Sequence, residues 1–184
     1  MTSPQPRYPF DAEVPTVEEL GRVHVIAIGG AGMSAVARLL LARGVKVSGS
    51  DRADSGTLEA LRDLGATVWL GHDPSHVAGA DTVVVSSAVP DDNSELVAAR
   101  ERGVRVLHRA QALAAVTRDR TRIAIAGANG KTTTTSMVTV ALAGVGRDPV
   151  YACGGEIAQL GSNAAWGSGP EAGIEADESD GSVI

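Results

Sequence analysis

The stretch VHVIAIGGAGMSAVARLLLARG, which runs from Val23 to Gly44, decides the fold of this chain. It begins with a short run of β-branched apolar residues, passes through a glycine-rich turn at Gly30 and continues as a helical segment that ends at Gly44. A buried strand, a tight turn and a helix, in that order, are the first half of a βαβ unit. We therefore expect a parallel sheet with helices on its faces.

The same alternation continues toward the C-terminus. Further apolar runs begin at four positions: VKVSG at Val45, TVWL at Thr67, TVVVSS at Thr82 and VRVLH at Val104. The helical segments between the runs end at Gly44, Gly65 and Gly103, where a glycine can take the left-handed conformation that closes a helix. The pattern predicts a Rossmann-like α/β domain over residues 21–118, after a proline-containing leader at residues 1–20.

A second unit begins with the apolar run RIAIAG. A glycine-rich turn and a long helix follow it, and then come a strand near Val150, a glycine-rich loop through Gly169 and a last strand from Ala172. This order predicts a second α/β domain, an ATP-binding domain of P-loop type, over residues 119–184. Because a doubly wound ATP-binding domain has more strands than these, we expect this domain to be incomplete and the chain to be part of a longer protein.

Composition argues against several classes of protein. The chain has 184 residues, of which 43% are hydrophobic and only 3% aromatic, so its core must be built from Val, Ile, Leu and Ala. Its apolar runs are shorter than the ~18 residues of a membrane span, and we expect no signal segment, because the first residues lack a basic-then-apolar pattern. A net charge of -6 without a basic cluster argues against nucleic acid as a partner. The single cysteine, Cys153, cannot form an internal disulfide and is expected to be an ordinary strand-end residue, and we expect a cytoplasmic protein without membrane contact.

The first glycine turn has the form G-x-G-x-x-A and is a candidate diphosphate site. Its glycines permit phosphate to approach a helix N-terminus, where free amides and the helix dipole favour negative charge. Asp51 closes the next strand about 20 residues later, where a ribose-binding carboxylate is expected. The candidate residues are Gly30, Ala31, Gly32, Met33, Ser34 and Asp51, with Ser86 and Ser87 from the loop SSAVP at the same sheet edge. Alternatively, the glycines serve only strand–helix packing, Asp51 is solvated and the serines merely turn the chain.

The second glycine turn, GANGKTTTT from Gly127 to Thr135, indicates a phosphate loop. Lys131 would bridge the β- and γ-phosphates of ATP, and the Thr132 hydroxyl would ligate magnesium. The candidate phosphate-binding residues are Gly127, Ala128, Asn129, Gly130, Lys131, Thr132 and Thr133, with Lys131 as the catalytic residue. Ile125 stands where a standard P-loop has its first glycine, which argues against GTPases and standard P-loop ATPases. The alternative is a helix start without a ligand, although four threonines open a helix poorly.

A third cluster, EADESDGS from Glu175 to Ser182, places four carboxylates within six positions after the last strand. If that strand lies beside the phosphate-loop strand, one carboxylate would face a magnesium ion at Thr132. The alternative is a solvated acidic turn.

Five motifs in this order, IGGAGMSAVARLL, VSGSD, VVVSSAVP, GKTTTTSM and EADESDGS, resemble the N-terminal and central domains of the Mur ligase family over the whole chain after the leader. The resemblance implies that the first turn holds the diphosphate of UDP-N-acetylmuramate, with Asp51 near the uridine, and that ATP and Mg²⁺ bind at the second. It also implies ligation of L-alanine to the lactyl carboxylate through an acyl phosphate, in peptidoglycan precursor synthesis. Thr132 and Glu178 would then ligate the metal, with Glu175 and Asp177 as reserve candidates.

The chain departs from the family at several positions. Relatives usually read GTHGKT where this chain has Ala128 and Asn129, and Ala165 stands where a basic residue is frequent, just after a segment that in the family approaches the muramoyl group. Either change is compatible with a murein-peptide-recycling ligase that joins a tripeptide to the same UDP-sugar. An NAD-dependent oxidoreductase is an alternative of another class, which the GKTTTT loop contradicts, and a non-catalytic binding module is a third. Amino-acid specificity and oligomeric state stay open.

Overall fold

The computed structural model describes residues 13–176 and arranges their strands in two sheets. The first sheet has five strands, which are β1 (Val23–Ile26), β2 (Val47–Asp51), β3 (Thr67–Leu70), β4 (Thr82–Val85) and β5 (Arg105–His108). Every neighbouring pair is parallel, and the order is β3-β2-β1-β4-β5. The predicted Rossmann-like parallel sheet is therefore confirmed. The strand order reverses between β1 and β4, and open α/β sheets bind ligands at the carboxyl edge of such a reversal.

Four helices accompany the first sheet, namely α1 (Ala31–Ala42), α2 (Gly56–Asp63), α3 (Ser94–Glu101) and α4 (Arg109–Val116). The glycines expected to close the first three each follow the helix after one intervening residue, with φ of 77° at Gly44, 98° at Gly65 and 66° at Gly103. These angles lie in the left-handed region that side chains disfavour, so the predicted helix ends are confirmed. No helix within residues 13–176 is long and apolar enough to cross a membrane.

Helix α4 was not predicted from the sequence. It begins with a capping box, in which His108 Nδ1 accepts from the amide of Ala110 at 3.3 Å and the amide of His108 donates to Gln111 Oε1 at 2.9 Å. Seven consecutive residues from Ala110 to Val116 are buried. A helix that is buried all round shows no recurring polar face, which is the signal that reveals a helix in a sequence.

The second sheet has four strands, β6 (Thr121–Ile125), β7 (Val150–Ile157), β8 (Ser162–Ala165) and β9 (Glu171–Glu175), in the order β6-β9-β7-β8. Helix α5 (Lys131–Gly144) connects β6 to β7. Strand β9 is parallel to β6 and to β7, which confirms that the last strand lies beside the phosphate-loop strand. The prediction of a glycine-rich loop through Gly169 is partly wrong, because that segment contains the strand β8, which is antiparallel to β7. Packing against α1 holds these small residues in a strand despite their weak intrinsic preference for one.

One hydrophobic core joins the two sheets. Helix α1 packs against β7 and β8 as well as against its own sheet. As a result, Val25 and Leu40 from the first sheet and its helices belong to the same buried cluster as Val150 and Ile174 from the second sheet.

A contact at the surface also joins the first sheet and its helices to the second sheet. Trp166 lies against both Arg43 and Arg120, with each guanidinium carbon 4.8 Å from a ring centroid. Arg43 also donates from Nη1 to Asp119 Oδ2 at 2.7 Å. These contacts and the shared core cross the division expected between residues 118 and 119, and that division stays a prediction.

Candidate functional site

The first glycine turn joins β1 to α1 where the strand order reverses. The amide of Gly30 donates to the carbonyl of Ala27 at 3.1 Å, which makes the turn tight, and α1 begins at the next residue. No side chain among the described residues caps α1, and its first turn has no acidic residue. The amides of Ala31, Gly32 and Met33 therefore point out of the helix end, where the helix dipole favours an anion.

Three candidate side chains of this site make contacts inside the protein. Asp51 Oδ2 accepts from the amide of Gly29 at 2.8 Å, so this carboxylate lies beside the turn as expected. Ser34 is buried, and its hydroxyl donates to the carbonyl of Ala31 at 3.0 Å. Met33 is also buried, so its backbone amide, and not its side chain, is the group available to an anion.

The serine loop follows β4 at the same edge of the sheet. The carbonyl of Ser86 accepts from the amide of Val89 at 3.1 Å, which turns the chain. Ser87 Oγ lies 3.2 Å from Nε2 of His108, the residue that caps α4. The loop is thereby attached to the start of α4.

Arg109, the first residue of α4, reaches the first glycine turn. A side chain at Gly32 would overlap the guanidinium of Arg109. A positive charge therefore lies beside the free amides of α1, an arrangement that suits a diphosphate. Arg109 was not predicted from the sequence, because α4 was not; a basic residue directly after the fifth strand was the signal available.

The second glycine turn joins β6 to α5. Gly127 and Gly130 have φ of 146° and 79°, which favour glycine. The amide of Thr134 bonds to the carbonyl of Gly130 at 2.9 Å, so the amides of residues 131–133 are the ones left for a ligand. Lys131 Nζ donates to the carbonyl of Gly127 at 2.8 Å, which holds the side chain across the loop. The tip of the loop, at Ala128 and Asn129, is exposed.

The carboxylate that the structure places beside this loop is Glu175, at the end of β9. Its Oε1 accepts from the amide of Gly154 at 2.7 Å. A Cβ built on Gly154 would lie 2.8 Å from Glu175 Oε2 and 3.2 Å from Thr132 Oγ1, so both oxygens border the same small space. Asp177 and Glu178 lie outside the described residues, and the assignment of Glu178 as a metal ligand stays a prediction.

This pair of oxygens fits a hard divalent cation. Mg²⁺ takes one or two oxygen ligands from a protein and fills its other positions with water and substrate phosphates. The missing side chain at Gly154 leaves room between Thr132 and Glu175. Within residues 13–176 there is no group of three or more His, Cys, Asp or Glu side chains that could hold a metal ion, so binding here would depend on bound phosphates.

Cys153 lies on the buried side of this space, inside β7 and not at a strand end as expected. Its Sγ is 3.2 Å from Glu175 Oε1 and 3.4 Å from Ser136 Oγ. Burial raises the pKa of its thiol, and the hydroxyl of Ser136 lowers it by less. A neutral, buried thiol packs as a small apolar group and does not act as a nucleophile.

Strand β7 contacts both α1 and α5, the two helices that follow the glycine turns. A Cβ at Gly155 would lie 3.4 Å from Thr132 Cγ2, and Gly155 also borders a cavity of about 210 Å³ that the first glycine turn shares. Asn163, on β8, donates from Nδ2 to the carbonyl of Ala31 at 2.8 Å. The hairpin of the second sheet is thus attached directly to the start of α1.

The sequence matches the Mur ligase family, catalytic domain, over residues 22–121, more than half of the chain. A UDP-N-acetylmuramate–L-alanine ligase of Nocardioides sp. (strain ATCC BAA-499 / JS614) is 56% identical over 178 residues, which are 97% of this chain and 40% of that protein. The enzyme of the same name from Kineococcus radiotolerans is 57% identical over 178 residues, which are 95% of this chain and 38% of that protein. The chain thus spans about two-fifths of the length of these relatives.

Two solved structures have the same fold. The UDP-N-acetylmuramate–alanine ligase of Thermotoga maritima superposes with a TM-score of 0.79 at 34% identity, over 85% of this chain and 37% of that one. The UDP-N-acetylmuramate:L-alanyl-γ-D-glutamyl-meso-diaminopimelate ligase of Neisseria meningitides superposes with a TM-score of 0.80 at 28% identity, over 86% of this chain and 53% of that one. The match over residues 22–121 and the shared fold agree, and this chain belongs to the Mur ligase family.

Proposed function

We propose that this chain is the nucleotide-binding part of a cytoplasmic ligase that joins L-alanine to UDP-N-acetylmuramate at the expense of ATP, in peptidoglycan precursor synthesis. The observation that supports this most directly is that the two glycine turns, each at the start of a helix, lie next to one strand, β7, whose Gly155 borders both Thr132 and the cavity beside the first turn. Such an arrangement suits transfer of a phosphoryl group from one nucleotide to a group carried by another, because both reactants are held at a short distance.

The first turn would bind the diphosphate of UDP-N-acetylmuramate. The amides of α1 and the guanidinium of Arg109 supply positive charge there. Asp51, held by the amide of Gly29, stands where a ribose hydroxyl could donate to its carboxylate. Ser86 and Ser87 would border the same ligand from the end of β4.

The second turn would bind ATP, with Mg²⁺ at Thr132 and Glu175. When bound, the ion neutralises charge on the transferring phosphoryl group. The amides of residues 131–133 would surround phosphate oxygens, and Lys131 Nζ would exchange the carbonyl of Gly127 for the β- and γ-phosphates. This proposal gives Glu175 the position first expected for Glu178, because the end of β9 brings Glu175 to the loop.

The lactyl carboxylate of the sugar would attack the γ-phosphorus of ATP and release ADP, which gives an acyl phosphate. The amine of L-alanine would then displace phosphate and form the amide. The described residues contribute to the first step by holding the two reactants in line and by placing Lys131 where negative charge develops.

A ligase that adds a peptide to the same UDP-sugar is the second candidate. The fold is compatible with it, since the Neisseria ligase superposes with a TM-score of 0.80. The identity of 56% and 57% to ligases named for L-alanine, against 28% for the peptide ligase, favours L-alanine.

Calorimetric titration of the 184-residue chain with UDP-N-acetylmuramate and, separately, with NAD⁺ tests the proposal. We expect the UDP-sugar to bind and NAD⁺ not to bind. Binding of NAD⁺ alone would contradict the assignment and indicate redox chemistry. A third titration, with ATP and Mg²⁺, tests the second turn: we expect binding that Lys131→Ala weakens, and an ATP affinity unchanged in that variant would contradict the assignment of this turn as a phosphate loop.

A further inference from the structure

A cavity of about 210 Å³ lies between α1 and the β7–β8 hairpin, next to the first glycine turn. Ala31, Ser34 and Arg38 border it from α1, where their spacing puts them on one face of the helix. Ser162 and Asn163 border it from the hairpin.

The other flank of the same turn is closed. There a cavity of only about 30 Å³ lies between Gly32, Arg109 and Gly154, which leaves room for about one or two water molecules. Of these two flanks, the side of Arg38 is therefore the one with space for a sugar joined to a diphosphate on the turn.

Arg38 is the cation of the larger cavity. It is partly buried, and its Nε is inaccessible to solvent and has no hydrogen-bond partner among the described residues. Withdrawing a guanidinium donor from water without a partner is unfavourable, so this group gains from a bound anion. Glu156 also borders the cavity, but it is exposed and stays in contact with water.

Neutral hydroxyl groups accompany this cation. Tyr151 is buried beside Ser162 and Arg38, and burial raises the pKa of its phenol, which keeps it a neutral donor. Ser162 Oγ is engaged with the carbonyl of Ala164 at 2.8 Å. Apart from the exposed Glu156, the lining thus combines one charged donor with neutral polar groups, a set that suits a carboxylate-bearing sugar.

We propose that Arg38 binds the lactyl carboxylate of the UDP-sugar whose diphosphate lies on the first glycine turn, and so selects this sugar over the same sugar without the carboxylate. The inference rests on the proposed function and names a specificity residue for it. Gly155 borders this cavity, and a Cβ there would lie 3.4 Å from Thr132 Cγ2, so the cavity adjoins the start of α5.

Three ligands separate the contributions of the lactyl group, the sugar and the diphosphate: UDP-N-acetylmuramate, UDP-N-acetylglucosamine and UDP. We expect the 184-residue chain to bind the first about tenfold or more tightly than the second, as a charge-assisted contact allows. Arg38→Gln should reduce that preference to within about twofold and leave the affinities for UDP-N-acetylglucosamine and UDP unchanged. Arg38→Lys, which keeps the charge, should restore part of the preference.

Arg100→Gln removes the same charge from α3, where Arg100 pairs with Asp91 at the surface, and serves as the matched control. An equal loss for all three ligands in Arg38→Gln would overturn the inference and assign Arg38 to the diphosphate. The inference would also be overturned if Arg38→Gln kept the preference for UDP-N-acetylmuramate over UDP-N-acetylglucosamine, or if the unaltered chain bound both ligands equally well. If the unaltered chain binds none of the three, the proposed function itself fails.

Discussion

Lys131 carries the positive charge of the second turn, at the point where its Nζ bonds to the carbonyl of Gly127. We expect Lys131→Ala to weaken ATP binding at least about tenfold, because a charge-assisted contact to phosphate is lost. Affinity for UDP-N-acetylmuramate should stay the same, since the proposed site of that ligand is the other turn. Lys46→Ala, which removes the chain's other lysine, is the control, and calorimetry measures both ligands. Equal loss of both affinities would contradict the division of work between the turns.

A substitution at Gly154 tests the proposed Mg²⁺ position between Thr132 and Glu175 more directly. The Cβ of Gly154→Ala would enter the space between Glu175 and Thr132, at 2.8 Å from one carboxylate oxygen and 3.2 Å from the hydroxyl. We expect it to weaken Mg²⁺-dependent ATP binding by about tenfold or more, because the added methyl group separates the two metal ligands. Gly155→Ala is the matched control, since its Cβ would meet only the Thr132 methyl group at 3.4 Å, an ordinary contact. A titration of Mg²⁺ at fixed ATP measures the effect, and similar curves for the two variants would exclude the metal position.

At the scale of elements, the start of α3 holds a buried acid against the first sheet. Glu95 is fully buried, and its carboxylate accepts from Ser50 Oγ at 2.5 Å, from His76 Nδ1 at 2.7 Å and from His72 Nδ1 at 3.0 Å. His24 Nε2 lies 3.6 Å from the same carboxylate. Burial alone would raise the pKa of Glu95, but its contacts with His24, Ser50 and His76 outweigh burial and lower the pKa to about 2.

This cluster predicts a specific sensitivity to acid. The pKa of Glu95 falls from an ordinary 4.5 in the unfolded chain to about 2 in the folded one, so its stabilisation is complete above pH 4.5 and is lost as the pH falls toward 2. At neutral pH it is on the order of 3 kcal/mol. Glu95→Gln should be less stable than the unaltered chain at pH 7, and the difference should shrink between pH 4.5 and pH 2. Urea unfolding across this range measures it, and parallel stability curves would contradict the assignment.

The sequence predicted the features that depend on neighbouring residues and missed those that depend on packing. A strand, a glycine turn and a helix N-terminus follow one another in the chain, so both glycine turns could be located from it. Arg109 reaches Gly32 only through a helix without a polar face. Which of Glu175 and Glu178 lies beside the phosphate loop depends on the residue at which β9 ends. Strand β9 extends to Glu175, which pairs with Ile125 of β6, and this pairing is a contact between distant segments that the sequence does not reveal.

At the scale of the whole molecule, the core shared through α1 predicts cooperative unfolding. The two tryptophans report on different parts, since Trp69 lies in β3 and Trp166 contacts Arg43 and Arg120 beside the second sheet. We expect single-tryptophan variants, made by Trp69→Phe and Trp166→Phe, to give the same urea midpoint by fluorescence after correction for each variant's stability by circular dichroism. Two separate midpoints would instead indicate two independently folding domains.

The thin partition that β7 forms between the two turns also matters for inhibitor design. Gly154 and Gly155 present no side chains there, so a diphosphate mimic and a triphosphate mimic would be separated by little more than one backbone. A bivalent molecule could therefore join the two with a short linker, and the second group would then bind at a high effective concentration. Its avidity would exceed the affinity of either half without any additional contact to the protein.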